Sequence, residues 1–359
     1  MADLPRGSVI ADMISIAGHR IGPGNSCFII AEAGVNHNGN LDTALKLVDA
    51  AKEAGADAVK FQTFTAEALA TIHADTADYH KKNTGKVELQ FAVLKRLELP
   101  REFYPKIMAH CSARDILFLS TPFSIPDADF LETLRIAAYK IPSGEITNLP
   151  YLRHIGKKGK PMIVSTGMAD LVETKAAVQV IQSQGNQEIV VLHSTSNYPP
   201  SYEGLNLNVI TTLQQEFAPE GIPVGYSDNG SKGIIAEVAA VALGASVIEK
   251  HFTLDRGMEG PDHLASLEPA ELKTMVRAVR DTEVVLGSAD KRCTPEEEPI
   301  KRIARKSIVA RRDIAKGERF MEENITTKRP EGGLSPMLWD SVVGKIASRD
   351  FVADDFIVV

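Results

Sequence analysis

Short apolar runs alternate with amphipathic segments from Cys27 to about Leu286. Most of the runs are rich in Val, Ile, Phe or Ala and lack strict polar alternation, which is typical of parallel strands buried on both faces. The eight predicted strands are Cys27–Gly34, Asp57–Thr63, Ile116–Phe123, Ala137–Ser143, Met162–Gly167, Glu188–Ser196, Ile222–Asp228 and Ser246–Thr253. Amphipathic periodicity predicts helices at Leu41–Gly55, Lys232–Gly244 and Glu268–Leu286.

Strand followed by helix, eight times over roughly 260 residues, predicts a (β/α)8 TIM barrel of class α/β. A doubly wound open sheet is the alternative. It usually has fewer strands, and no GxGxxG turn follows the first predicted strand here. A barrel of this type carries its chemistry at the C-terminal ends of its strands.

Two segments interrupt the alternation. Residues 64–100 are too many for a plain connection, which predicts a lid or binding loop that includes Tyr79–Gly85. A charged, proline-containing stretch after Leu286 predicts a linker, and short β-like runs follow it to Val359. We therefore divide the chain into a catalytic barrel at 1–286, a linker at 287–306 and a small β-rich domain at 307–359.

Composition narrows the class of protein. The net charge of -7 argues against a nucleic-acid partner, and no apolar run is long enough to span a membrane. The three cysteines, Cys27, Cys111 and Cys293, are odd in number and far apart, so a disulfide framework is not expected. The N-terminus lacks the features of a signal peptide, and we expect a cytoplasmic protein.

Polar residues at the predicted strand ends are candidates for the site, although a single lysine can snorkel outward and a single serine can serve a turn. Two lysines at the ends of apolar strands are harder to explain this way, because buried lysine is rare without an anion. Lys60 and Lys140, with Ser143, Ser165 and Ser227, predict a cationic pocket for a phosphate or a phosphorylated carboxylate. The imidazoles of His193 and His251 are either metal ligands or satisfied core histidines.

Seven motifs in barrel order resemble the sialic acid synthase family. They are Ile30–His37, Val59–Gln62, Leu119–Phe123, Tyr139–Glu145, Val164–Met168, Glu249–Thr253 and Gly260–His263. The end of the chain, with Lys306–Ala310 and Thr327–Pro330, resembles the antifreeze-like (SAF) domain of those enzymes. The resemblance covers nearly the whole chain in order, which makes it specific.

The resemblance implies that phosphoenolpyruvate condenses with an N-acetylated mannose-type sugar and water to give a nonulosonic acid and phosphate. N-acetylmannosamine, giving N-acetylneuraminate, is our first reading. A 2,4-diacetamido-trideoxy hexose, giving N,N'-diacetyllegionaminate or pseudaminate, is the alternative. The resemblance also implies a divalent cation, Mn2+ or Mg2+, and a domain-swapped homodimer whose SAF domain covers the partner's barrel mouth.

The same resemblance implies roles for individual residues. Glu32, Lys60 and Lys140 would be catalytic, with Glu32 orienting or deprotonating the attacking water or stabilising the oxocarbenium-like cation. Phosphoenolpyruvate would be bound by Lys60, Thr121, Lys140, Ser143, Ser165 and Ser227. The sugar site would contain Gln62, Phe123, Glu145, Tyr198, Asp262 and, from the partner chain, Arg329.

Two positions depart from the family pattern. The family reads Ser-Asp-His after the seventh strand, and its His joins the strand-eight His as a metal ligand, whereas this chain has Asn229 beside His251. An amide oxygen is a poorer ligand than imidazole for Mn2+-like ions. Either Asn229 is a ligand, or Asp228 substitutes, or the metal is weak or absent; we expect a retained but weakened site. In the loop before Tyr198, Ser196 stands where the family has Asn, a departure that we expect to affect the sugar contacts.

Two other functions remain open at this point. A barrel aldolase would use Lys60 or Lys140 as a Schiff base and would release no phosphate. A non-catalytic carbohydrate-binding protein would explain Asn229, but it has no physical need for two lysines at strand ends.

Overall fold

The computed structural model describes residues 14–74 and 89–359. The Tyr79–Gly85 part of the predicted lid lies outside the described residues. The chain divides into two compact units, one up to Gly287 and one from Ser288.

The first unit is built on eight parallel strands. They are β1 (Phe28–Gly34), β2 (Ala58–Thr63), β3 (Leu117–Pro122), β4 (Tyr139–Ile141), β5 (Met162–Ser165), β6 (Ile189–Ser194), β7 (Val224–Asp228) and β8 (Val247–His251). The hydrogen-bonded order runs β3-β2-β1-β8-β7-β6-β5-β4. The two end strands, β3 and β4, also pack side by side, so the sheet curves round on itself. The prediction of a (β/α)8 barrel is confirmed.

Helices surround the sheet. Among residues 14–74 and 89–287, the α-helices are Leu41–Ala54, Ala66–Leu69, Gln90–Leu97, Tyr104–Ala113, Ile125–Thr133, Leu149–Gly156, Leu171–Gln182, Tyr202–Leu205, Val209–Phe217, Ile235–Ala242 and Pro269–Leu286. Local chemistry explains the first: the Asn40 side chain accepts from the Thr43 N–H, and Gly55 ends the helix at φ 89°. Its apolar stripe, which includes Leu47 and Val48, packs into the core between helices and sheet. None of the helices among the described residues has the length and apolarity of a membrane span.

The interior of the barrel is apolar at one end only. Phe28, Ala58 and Val247, near the N-terminal ends of their strands, form an inner cluster with two residues of a short hairpin, Ile14 and Ile21. That hairpin (Ile14–Ile16 paired with His19–Ile21) was not predicted. Because the N-terminal end is filled, polar side chains on the same inward face lie toward the C-terminal end.

The segment 64–100 is partly helical rather than an open loop. In its described part, the helices Ala66–Leu69 and Gln90–Leu97 pack with Val35 and Phe64 in a separate apolar cluster that also contacts Phe123. The predicted linker contains a helix, Glu298–Ala304. In the second unit, β9 (Ser307–Ala310) pairs antiparallel with β10 (Ile325–Lys328), and a short helix, Trp339–Val342, follows.

Candidate active site

Side-chain alternation carries charged groups to the C-terminal half of the barrel interior. Along β1, the inward positions Phe28 and Ile30 are followed two residues later by Glu32. On β2, Lys60 follows Ala58 in the same way, and on β8 Glu249 follows Val247. All three charged residues are buried. Ionised groups buried this deeply need partners of opposite charge.

Lys60 is at the centre of the charged network. Its Nζ lies 2.8 Å from Glu32 Oε2 and 3.7 Å from Glu249 Oε1. The same ammonium donates to Thr121 Oγ1 at 2.9 Å, and Gln62 Nε2 donates to Glu32 Oε1 at 3.3 Å. Four of the residues selected from the sequence therefore meet at one point: Glu32, Lys60, Gln62 and Thr121.

Lys140 enters the same network from β4. Its Nζ donates to Ser165 Oγ at 2.6 Å and lies 3.5 Å from Glu249 Oε1. Ser227 Oγ donates to that same carboxylate oxygen at 3.0 Å. Glu249 is thus shared by both lysines, yet it was not among the selected site residues. The available signal was a glutamate within an apolar strand, on the same face as His251.

The network shifts the pKa values of its members in different directions. Burial raises the pKa of Glu32 to about 7 against the opposing effect of Lys60, and it lowers the pKa of Lys140 to about 8. Burial alone would lower the pKa of Lys60, but Glu249 and Glu32 outweigh it and raise that pKa. Burial would likewise raise the pKa of Glu249, but Lys140 and Lys60 outweigh it and lower that pKa. A carboxyl group that titrates near neutrality is suited to proton transfer.

Two serine hydroxyls converge on Gly167, just after β5. Ser143 Oγ accepts from the Gly167 N–H at 2.9 Å. A Cβ added to Gly167 would lie 2.2 Å from Ser196 Oγ and 2.8 Å from Ser143 Oγ, so only glycine fits without displacing them. Ser196 is therefore a neighbour of the predicted phosphate-binding serine. We had interpreted its departure from the family pattern as affecting the sugar contacts.

The residues predicted to bind the sugar differ in their surroundings. The ring of Tyr198 packs edge-on against His251, with centroids 5.7 Å apart. Asp262 is buried, and burial raises the pKa of its carboxyl to about 6. Phe123 packs against Phe64 instead of the charged network.

Two further members of the predicted sugar site are Glu145 and Arg329. Glu145 is half-buried and accepts from Asn148 Nδ2 at 2.5 Å. Arg329 is exposed in the second unit, so its predicted role stays a prediction.

The two candidate metal ligands carry atoms that suit a cation. Burial, together with Lys60, lowers the pKa of His251 to about 4, so its imidazole is neutral, and its buried Nδ1 has no hydrogen-bond partner among the described residues. Asn229 Nδ2 donates to Ser194 Oγ and to the Thr195 carbonyl. The amide oxygen of Asn229 is therefore the atom that could bind a cation. Within residues 14–74 and 89–359, three or more His, Cys, Asp or Glu side chains are nowhere grouped to hold a metal. The donor set fits a weakly held cation.

The contacts of two other candidate ligands argue against a metal at either one. The Asp228 carboxylate accepts from the Gly230 and Ser231 N–H groups and lies 3.2 Å from Lys250 Nζ, so its charge is already engaged by its own turn and by Lys250. The Nε2 atom of His193 lies 2.7 Å from the Leu205 carbonyl oxygen, which makes His193 a satisfied core histidine.

A (β/α)8 barrel whose C-terminal end holds two buried lysines, two carboxylates and converging serine hydroxyls defines an enzyme built to bind an anionic substrate. The comparisons with known proteins identify its family. The model of the NeuB family matches residues 47–291, and the SAF domain matches residues 305–358. The chain belongs to the NeuB family, and the resemblance to sialic acid synthases is confirmed.

Individual relatives are similar over nearly their whole length. The N,N'-diacetyllegionaminic acid synthase of Legionella pneumophila is 46% identical over 336 residues, which cover 92% of this chain and 93% of the relative. The Campylobacter jejuni protein of the same name is 46% identical over 331 residues, covering 92% and 98%. The structure of N-acetylneuraminic acid (sialic acid) synthetase from Leptospira borgpetersenii matches with a TM-score of 0.71 at 32% identity, covering 81% of this chain and 95% of that one.

Proposed function

We propose that this protein condenses phosphoenolpyruvate with a 2,4-diacetamido-trideoxy hexose and water, giving N,N'-diacetyllegionaminate and phosphate. The pair of buried lysines, Lys60 and Lys140, carries the proposal for phosphoenolpyruvate. The relatives named N,N'-diacetyllegionaminic acid synthase favour the diacetamido sugar. Our first reading, N-acetylmannosamine as substrate, is therefore replaced by the alternative.

The charge balance of the network supports an anionic substrate. Lys60 and Lys140 carry two positive charges, and Glu32 and Glu249 supply at most two negative ones. The phosphate and carboxylate of phosphoenolpyruvate would compete with Glu32 and Glu249 for the ammonium groups, and Ser165 would add a neutral donor.

The reaction needs a proton acceptor near the carbon that water attacks. The enol carbon of phosphoenolpyruvate forms a bond to the aldehyde carbon of the sugar, which leaves an oxocarbenium-like centre. The aldehyde oxygen takes up a proton and becomes a hydroxyl group. Water adds to the oxocarbenium-like carbon and gives up both of its protons in turn, one replacing the proton taken up by the sugar and one leaving with phosphate. The C–O bond to phosphate breaks as the keto group forms. We assign the proton transfer to Glu32, whose carboxylate Gln62 orients through a hydrogen bond of 3.3 Å.

We further propose a divalent cation, Mn2+ or Mg2+, at His251 and Asn229. When bound, such an ion would act as a Lewis acid toward the aldehyde oxygen. The ring of Tyr198 covers one edge of His251 and would limit access of water to that ligand. Because an amide oxygen replaces an imidazole, we expect the ion to be held weakly and its removal by EDTA to abolish activity.

The test is sugar-dependent release of phosphate. Purified protein is incubated with phosphoenolpyruvate, Mn2+ and either the diacetamido sugar or N-acetylmannosamine, with and without EDTA. Faster release with the diacetamido sugar supports the proposal. Faster release with N-acetylmannosamine would instead support our first interpretation, that the product is N-acetylneuraminate. Borohydride trapping of a keto substrate without phosphate release would support the Schiff-base aldolase instead.

The domain-swapped homodimer and the cytoplasmic location are also proposals. If Arg329 of one chain completes the partner's sugar site, Arg329→Ala should raise the KM of the sugar and leave that of phosphoenolpyruvate nearly unchanged. Mixing Arg329→Ala with Lys60→Met chains should restore part of the activity, since heterodimers would contain one intact site. A monomer in solution would contradict the swapped dimer.

A further inference from the structure

A second group of charges lies behind the site and takes no part in the chemistry proposed above. Lys250 stands between Glu249 and His251 on β8, so its side chain leaves the opposite face of the strand. It is fully buried, with Nζ 2.8 Å from Glu237 Oε1 on the helix Ile235–Ala242. The same ammonium lies 3.2 Å from Asp228 Oδ1.

The stability of the fold does not explain this arrangement. Lys250 and Glu237 are 0% exposed and Asp228 is 1% exposed. Replacing such a buried ion cluster with apolar side chains of similar volume is often neutral or stabilising. Glu237 Oε2, moreover, has no hydrogen-bond partner within the part of the chain that the structure describes. A group that is costly to bury is expected to specify a conformation instead.

The contacts of the cluster converge on the turn formed by residues 228–231. Lys250 Nζ donates to the Ser231 carbonyl at 2.9 Å. Asp228 Oδ1 accepts from the Gly230 N–H at 2.7 Å and from the Ser231 N–H at 2.6 Å. The one remaining residue of the turn is Asn229, whose amide faces Ser194 and Thr195 instead. The charged cluster therefore contacts the turn at Gly230 and Ser231, on the side away from the Asn229 amide.

The turn is also packed tightly against the loop that carries Asp262. Gly230 has φ 102°, and a Cβ there would lie 2.3 Å from the Ala265 carbonyl oxygen. Ala265 N in turn donates to the Asp262 carbonyl. A displacement of the turn would thus affect Ser227 and Asn229 directly and Asp262 through packing.

We propose that Lys250 is a positioning residue, which holds the 228–231 turn against β8 and so keeps Ser227 and Asn229 in place at the barrel mouth. The inference rests on the proposed function, because the turn matters to catalysis only if this mouth binds phosphoenolpyruvate and the cation. The Lys250 side chain itself lies on the face of β8 opposite Glu249 and His251.

The experiment compares four variants of the full-length protein. Lys250→Met removes the ammonium group that contacts Glu237, Asp228 and Ser231, and we call these contacts the tether. Lys250→Met/Glu237→Gln also removes the tether but keeps the net charge of the cluster. Glu237→Gln alone keeps the tether, because its amide oxygen still accepts from the ammonium. Lys158→Met is the matched control: Lys158 is also buried at its tip, 2.6 Å from Asp129 Oδ1, at a site remote from the strand C-termini.

We expect both Lys250 variants to lose about 10- to 100-fold in kcat/KM for phosphoenolpyruvate and to need more Mn2+ for half-maximal activity. Glu237→Gln and Lys158→Met should stay within about threefold of the wild type, since each keeps the turn contacts. Hydrogen–deuterium exchange of the amides at 229–231 should accelerate in both Lys250 variants and in neither control.

Two outcomes overturn the proposal. One is a folded Lys250→Met/Glu237→Gln protein with wild-type kcat/KM and wild-type exchange at 229–231. The other is failure of both Lys250 variants to fold, which would assign the cluster to stability. An inactive wild type would refute the proposed function instead, and the exchange measurement would still test whether Lys250 holds the turn.

Discussion

Replacing Glu249 with Gln tests whether the two lysines depend on one shared carboxylate. The substitution keeps the shape of the side chain and an oxygen that can accept from Ser227 Oγ, now 3.0 Å away. It removes the negative charge that lies 3.5 Å from Lys140 Nζ and 3.7 Å from Lys60 Nζ. Glu32 is then the remaining carboxylate in the network, and it pairs with Lys60.

The size of the effect follows from those distances. At an effective dielectric constant of about 20, each of the two attractions corresponds to about 5 kcal/mol before desolvation is subtracted. Breaking a buried ion pair by removing one partner costs about 3–5 kcal/mol in measured cases, and we expect the lower end because Gln still accepts from Ser227. A loss of about 3 kcal/mol lowers Tm by about 5–10 °C in a domain of this size.

The assay is thermal unfolding of the wild type and of Glu249→Gln with and without inorganic phosphate. Phosphate supplies the missing negative charge, so it should raise the Tm of the variant by more than that of the wild type. Glu283→Gln is the control, because Glu283 pairs with Arg280 at a half-buried site away from the lysines. An unchanged Tm in Glu249→Gln, together with a phosphate effect equal to that of the wild type, would refute the reasoning.

Three further substitutions test other parts of the site. Glu32→Gln should reduce kcat by about 10²–10⁴-fold without raising the KM of phosphoenolpyruvate, because a proton acceptor is lost and a competitor for Lys60 is neutralised; equal kcat values would exclude that role. Gly167→Ala should raise that KM about tenfold, because its Cβ would lie 2.2 Å from Ser196 Oγ, whereas Gly144→Ala, with open space around it, should change nothing. Asn229→His should lower the Mn2+ concentration for half-maximal activity about tenfold, since imidazole is the better ligand; an unchanged concentration would argue against a metal at this position.

Several members of the site could be predicted because a charged residue within an apolar strand can be recognised from the sequence. Lys60 and Lys140 stand in apolar runs where a lysine needs an anion, and both are buried in ion pairs. Glu249 has the same signature, but its partners lie on strands far away in the chain. The sequence alone did not show which cations Glu249 would meet.

The departures from the family pattern needed the structure even more. Ser196 could be assigned to the sugar side or to the phosphate side until its hydroxyl was found beside Ser143 at Gly167. Asp228 could be a metal ligand until its carboxylate was found bonded to its own turn and to Lys250. The sugar itself was inferred from relatives, because small differences in pocket contacts distinguish one amino sugar from another.

By itself the amino-acid sequence determined the succession of strands and helices, the inward face of each strand and the end at which polar residues collect. These properties are local, since the period of two in a strand and of 3.6 in a helix act over a few residues. The tertiary structure alone decided which charges meet. Closure of the barrel brings β8 beside β1 and aligns His251 with Glu32. Pairing across such a separation depends on the register of the whole sheet, which no local pattern contains.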